Sequence, residues 1–313
     1  MNIRLLPLKD NKAESFVIKW LIAFFLIALI LHVWRIFTLN ATYDQGLFLQ
    51  EIWNGLYGRP FESTLASELS SPVFLDGGLP QVGYKHLGQH FTPLLVFWIP
   101  FVGILGLWSL PLIQVGLITI SSWLLFLLAK EYLPPKLSAW ITCSFLVSAP
   151  VIGPSLENFH DLCMVPLLVF SILLAIARDN KSIYLLAAFL LPLVREDVGL
   201  IAFGIGLWIV IRNNIFVWKA LGIGLCLYSV IYVLIVTNSI MPIFGSELSR
   251  RFMHERFGQY LQGEDGGTLD VLIAMLRQPG LVVRELFSPP ISTFRFLITL
   301  ALPLAIIPWL SID

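Results

Sequence analysis

Pro93-Leu94-Leu95-Val96-Phe97-Trp98-Ile99-Pro100-Phe101-Val102-Gly103-Ile104-Leu105-Gly106-Leu107-Trp108 is the stretch on which the fold turns. It is apolar from end to end, yet four of its sixteen residues are Pro or Gly. A bilayer crossing needs about 20 mostly apolar residues, so hydropathy alone leaves this segment undecided. Charge decides it. Arg4, Lys9, Lys12 and Lys19 precede the first apolar run and put the N-terminus in the cytoplasm by the positive-inside rule. If 93–108 does not cross, the pairs Lys130/Lys136, Arg178/Lys181 and Arg212/Lys219 all fall in cytoplasmic loops. If it crosses, all three pairs lie outside and the loop around Arg195 moves inside. The first arrangement is favoured, and 93–108 reads as a juxtamembrane or re-entrant helix.

The rest of the chain fits that frame. Of 313 residues, 57% are apolar and only 13% are charged, about half the charged share of a soluble domain. So much apolar surface points to lipid as the solvent. Apolar runs lie at about 20–39, 110–129, 137–153, 162–177, 182–195, 198–211, 218–237 and 292–310. The expected fold is an all-α polytopic transmembrane bundle of about eight spans, forming one domain over 1–313. Both termini are then cytoplasmic, and juxtamembrane helices occupy two outer loops, about 40–109 and 238–291. The first apolar run is long and lacks a small-residue cleavage site, so it reads as an uncleaved span. The chain stops soon after its last run, at Pro308-Trp309-Leu310, as a C-terminally shortened form of something longer would. Zero net charge gives no sign of a nucleic-acid partner. Cys143, Cys163 and Cys226 lie in apolar runs and read as packing residues rather than a disulfide framework or thiolate metal site. Oligomeric state is not legible.

Within this frame the polar residues gather on one side. Tyr43 to Asn54 reads as an amphipathic helix on the membrane surface, with Leu47, Phe48, Ile52 and Leu56 at helical spacing. Asp44 and Glu51 lie two turns apart on one face. The plain alternative is that Asp44 complements the helix N-terminus and Glu51 is solvated. His86 and His90 have the spacing of a helical metal pair. Gly88 between them and Pro93 after them argue against a regular helix there. His160-Asp161 and Arg195-Glu196-Asp197 stand between spans. Ionised groups near lipid line polar cavities or pair with one another, so Arg195 could simply neutralise Glu196 or Asp197. Yet the orientation set by Lys and Arg alone places Asp44, Glu51, His90, His160, Asp161, Glu196 and Asp197 together outside. Arg256, with Arg250, Arg251 and His254, gives the second outer loop cations able to hold a lipid phosphate; a solvated basic face is the alternative. Residues 268–288 read as another amphipathic segment, broken near Pro279-Gly280.

The run Tyr43-Asp44-Gln45-Gly46-Leu47-Phe48-Leu49-Gln50-Glu51-Ile52-Trp53 resembles the signature of a family of uncharacterised bacterial membrane proteins. The resemblance continues at His90-Phe91-Thr92-Pro93, Asn158-Phe159-His160-Asp161 and Arg195 to Leu200. Gln45 and Asp161 depart from the family's usual residues. The layout is remotely similar to the GT-C superfamily of lipid-linked-sugar glycosyltransferases, through Asp44, His90 to Leu94, and Asp161. Larger members of that superfamily carry more spans and often a soluble C-terminal domain.

That resemblance implies transfer of a sugar from a polyprenyl-phosphate donor on the extracytoplasmic side of the bacterial inner membrane. The catalytic candidates are Asp44, Glu51 and Asp161. The substrate-binding candidates are His90, His160, Arg195, Glu196, Asp197 and Arg256. One carboxylate would accept the acceptor's proton, and a cation would neutralise the leaving phosphate. A divalent metal on Asp44, Asp161 and Glu51 is allowed but not required, and no metal site is assigned. A transporter or lipid flippase, or an inactive membrane scaffold, are the competing readings. The lack of repeats and of charges deep in the spans weighs against transport.

Overall fold

The computed structural model describes residues 11–40, 42–70, 73, 77–245, 255, 257–261 and 268–301. These residues are mostly helical. Among them there is no named strand, only a lone bridge between Glu62 and Lys85. In chain order the helices are α1 Asn11–Phe37, α2 Tyr43–Gly55, α3 Thr64–Glu68, α4 Ile99–Leu105, α5 Ser109–Lys130, α6 Pro135–Val147 and α7 Ala149–Glu157. They continue as α8 Val165–Ala177, α9 Lys181–Leu190, α10 Gly199–Arg212, α11 Phe216–Ile235, α12 Thr268–Arg277, α13 Pro279–Leu286 and α14 Pro290–Ala301.

Three helical stretches are long and apolar enough to cross a bilayer: Asn11–Phe37, Pro93–Lys130 and Phe216–Gly245. The pair α6 and α7, bent by 47°, makes a fourth. The bend has a simple cause. Pro150 has no N–H to offer the carbonyl of Leu146, and Ser148 takes an extended conformation between the two helices. The apolar runs expected to span at 162–177, 182–195 and 198–211 form the shorter helices α8, α9 and α10, of 13, 10 and 14 residues. That is under the roughly 20 a crossing needs. Three to four spans, rather than about eight, therefore satisfy the length criterion among the described residues. Tight 3-10 turns at Asp161–Met164, Leu191–Leu193 and Glu196–Val198 take up the missing lengths. Of the run at 292–310, the part beyond Ala301 lies outside the described residues.

The 93–108 segment is helical but broken. A 3-10 stretch, Pro93–Trp98, leads into α4. Gly106 then takes φ +56°, in the left-handed region, and ends the helix. A straight 38-residue helix would be about 57 Å long, far more than the roughly 30 Å hydrocarbon core. The 22 residues of α5 suffice alone, which frees 93–105 from any need to cross.

The chain divides into two compact units. The first comprises Met1–Gln45, Trp108–Ala187 and Val283–Asp313, and the second Gly46–Leu107 and Ala188–Val282. In the first, α1 packs on α5, α6 and α7, and α5 packs on α6 and α8. Val17, Ala28, Leu110, Phe126 and Ile172 form its core, while Ile22, Ile27 and Ile30 of α1 stay exposed, as a lipid-facing stripe should. Ser121, Ser122 and Thr142 return their hydroxyls to the carbonyls of Leu117, Ile118 and Ser138, so buried polar groups are satisfied within their own helices.

In the second unit α10 and α11 form a tight hairpin. A Cβ on Gly222 would stand 2.8 Å from the carbonyl oxygen of Gly206, and one on Gly206 would stand 2.8 Å from that of Gly222. Small residues let membrane helices approach backbone to backbone. Gly222→Val should therefore lower stability by about 1–3 kcal/mol through overpacking. Gly224→Ala, facing open space, should leave it unchanged. Thermal unfolding of the two variants in detergent makes the comparison, and equal midpoints would refute the close crossing.

Candidate functional site

In the first unit the site begins with a problem of unsatisfied carbonyls. The last four C=O groups of a helix lack intrahelical partners. The end of α7 also contains Pro154, which contributes no N–H. Side chains from two spans take up these oxygens. On α1, His32 bonds the carbonyl of Ser155 through Nε2, and Arg35 Nη1 donates to that of Leu156 at 2.7 Å. On α5, Gln114 Nε2 donates to the carbonyl of Pro154 at 3.0 Å, with that of Ser155 at 3.4 Å.

The same clamp fixes the residues that follow. Gln114 Oε1 accepts from the His160 backbone N–H at 2.7 Å, and Gln45 Oε1 accepts from that of Phe159 at 3.2 Å. The Thr42 N–H donates to Asn158 Oδ1 at 3.2 Å. The start of α2 is thus laced to residues 158–159. Asp44 sits between the two ties, exposed, in the first helical turn. One residue beyond the second tie, His160 Nδ1 lies 2.6 Å from Asp161 Oδ1. The imidazole is 43% exposed and the carboxylate 1%. Asp44, His160 and Asp161 therefore share one neighbourhood.

The second unit holds a different cluster. Leu47, Phe48 and Ile52 of α2 are buried as their spacing predicts, while Trp53 and Tyr57 remain exposed. Glu51 shares the buried side. Its carboxylate is fully buried, 2.6 Å from Nδ1 of His86, itself only 5% exposed. Phe48 packs edge-on against His86, and the His86 and His90 rings meet nearly perpendicular with centroids 5.9 Å apart. His90 Nδ1 donates to Glu196 Oε1 at 2.9 Å, and the Phe91 N–H donates to Glu196 Oε2 at 2.7 Å. The result is an array running Glu51, His86, His90, Glu196. Gly88 lets it form, because a Cβ there would strike the backbone of Phe244 and Gly245 at 2.9 Å. Beside it, Gln89 donates to the carbonyl of Ala66 and to the Tyr84 hydroxyl. Burial pushes the Tyr84 phenol up from its ordinary value, so it stays neutral at physiological pH.

Arg195 turns to Asp197 in a two-pronged ion pair of 2.8 and 2.7 Å, while Glu196 goes to His90. The depression beside Glu51, lined by Ile52, Pro60, Phe61 and Leu95 among others, leaves no room for even a water molecule. Among the described residues no group of three His, Cys, Asp or Glu side chains has metal-site geometry. Of the three carboxylates considered as oxygen ligands, Asp44 and Asp161 belong to the first unit and Glu51 to the second. Arg256, like Arg250, Arg251 and His254, lies outside the described residues.

Sequence reasoning missed His32, Arg35 and Gln114. All three sit in apolar runs where hydropathy averages them away. The signal available was that a polar side chain within a span needs a partner.

Long apolar helices carrying buried polar clamps and carboxylate–imidazole pairs define a helical membrane protein. The chain belongs to the DUF2079 family, described as a predicted membrane protein family, whose model matches residues 35–313. No curated protein and no solved structure matches it.

Proposed function

We propose that the chain is a GT-C-like glycosyltransferase that moves a sugar from a polyprenyl-phosphate donor to an acceptor on the extracytoplasmic face of the bacterial cytoplasmic membrane. The observation that carries this reading is the position of Asp44. It is an exposed carboxylate a few residues beyond the end of α1, on a segment tied to the His160–Asp161 pair. A polyprenyl-linked donor presents its sugar at that lipid–water boundary.

In the reaction the acceptor hydroxyl attacks the anomeric carbon and passes its proton to Asp44. The bond from that carbon to the phosphate oxygen breaks, and polyprenyl phosphate leaves with the electron pair. A base must touch the hydroxyl it deprotonates. Asp44 is the accessible candidate. Asp161 is 1% exposed and lies against His160, and Glu51 is fully buried against His86. Asp161 therefore orients His160, and Glu51 supports the His86–His90 array. Glu196 holds the His90-Phe91 segment through both carboxylate oxygens. An assay with radiolabelled polyprenyl-phosphate sugar tests the reading. Sugar-lipid translocation without transfer would replace it with a transporter or flippase.

The side assignment rests on loop charge and about eight crossings. Reporter fusions at Lys130, Arg178 and Arg212 should report the cytoplasm, and fusions at Asn158 and Glu196 the opposite face. The reverse pattern would mean that 93–108 crosses, and would remove the site from the outer face.

A further inference from the structure

We infer that Arg35 is the phosphate-binding cation of the first unit's site, holding the phosphate-ester headgroup of a polyprenyl lipid; this rests on reading that unit as the donor site.

Arg35 is in the last turn of α1, with Trp34 and Phe37 exposed beside it. Aromatic residues of this kind mark the level of lipid headgroups. The guanidinium is part-buried, and its hydrogen bonds run to two neutral carbonyls: Leu156 at 2.7 Å and Asn40 at 3.3 Å. Among the described residues no carboxylate pairs with it, although other cations do pair: Lys130 with Glu14, Arg178 with Glu131, Arg195 with Asp197. Carbonyl dipoles orient a cation without cancelling its charge. A partly desolvated charge at the edge of a bilayer calls for a counter-charge. A guanidinium offers five N–H donors in a planar fork suited to phosphate oxygens, and the two carbonyls leave part of that fork unused.

The location narrows the anion. Arg35 holds residue 156, Asn158 holds Thr42, and Asp44 follows two residues later. An anion on Arg35 would therefore be held at the same tied segments, 40–45 and 156–159, that carry the carboxylate assigned as base, with its lipid tail along α1. A phosphate ester on a long apolar chain meets both conditions, and free phosphate meets only the first.

The test is calorimetric titration of the purified full chain with four probes: a short-chain polyprenyl phosphate, the matching polyprenol, phosphatidylglycerol and inorganic phosphate. The polyprenyl phosphate should bind best. Arg35→Gln keeps a donor for Leu156 but removes the charge. It should weaken that binding about 10- to 100-fold while leaving polyprenol binding unchanged. Arg178→Gln, which removes a cation already paired with Glu131, should bind as wild type does. Wild-type affinity in Arg35→Gln would overturn the proposal. So would equal binding of polyprenol or phosphatidylglycerol to the wild type, or a preference for inorganic phosphate, whatever the variants do. Headgroup binding without sugar transfer would sink the transferase reading and leave this one standing.

Discussion

Asp44→Asn should abolish sugar transfer while expression, membrane insertion and donor binding stay near wild type. The substitution keeps the side chain's shape and removes its basicity. Losing a positioned general base costs about 10²–10⁴-fold in rate. Asp44 is exposed, and its neighbours Thr42 and Gln45 make the ties to residues 158 and 159, so the local structure does not depend on its carboxylate. Glu51→Gln should cost less activity, because Glu51 is buried away from any acceptor. Initial rates of radiolabelled transfer by purified variants give the comparison. Transfer by Asp44→Asn at the wild-type rate would move the base elsewhere, with Asp161, through His160, next in line.

The second large effect is on stability. Glu51→Leu should destabilise the protein by about 1–3 kcal/mol, the usual cost of leaving a buried polar group without its partner. Both side chains are at most 5% exposed, so water offers His86 little compensation. The double variant Glu51→Leu with His86→Phe should recover most of the loss, since replacing a buried pair with apolar groups of similar volume is commonly neutral. Phe48 already packs against the His86 ring and would meet an aromatic replacement. Denaturant unfolding of the two single variants and the double closes a thermodynamic cycle. If the two single losses simply add, the pair does not act as a unit and the array has no energetic basis.

Leu47, Phe48 and Ile52 show how far local pattern reaches. Their spacing alone assigns the buried side of α2, and that side is buried. Hydropathy likewise names the solvent, because apolar surface on this scale has nowhere to go but lipid. The helical state follows, since a chain in lipid must satisfy its backbone hydrogen bonds internally. Pro150 and Gly106 mark breaks that their own covalent geometry imposes. The sequence also singled out Asp44, His90, His160, Asp161 and Glu196, as charges and imidazoles that stand out beside apolar runs.

What it could not assign was partners. His90 and Glu196 are 106 positions apart, and Gln114 reaches His160 across 46. The triplet Arg195-Glu196-Asp197 reads the same whichever carboxylate the arginine takes. Only the tertiary structure gives Asp197 to Arg195 and Glu196 to His90. Glu51 is the sharpest case. Its spacing from Asp44 put two carboxylates on one face, but packing buries one against His86 and leaves the other exposed. Helical periodicity fixes the direction in which a side chain leaves its own helix. What it meets there, and so whether its charge is paired or available, depends on which distant segments pack against that face.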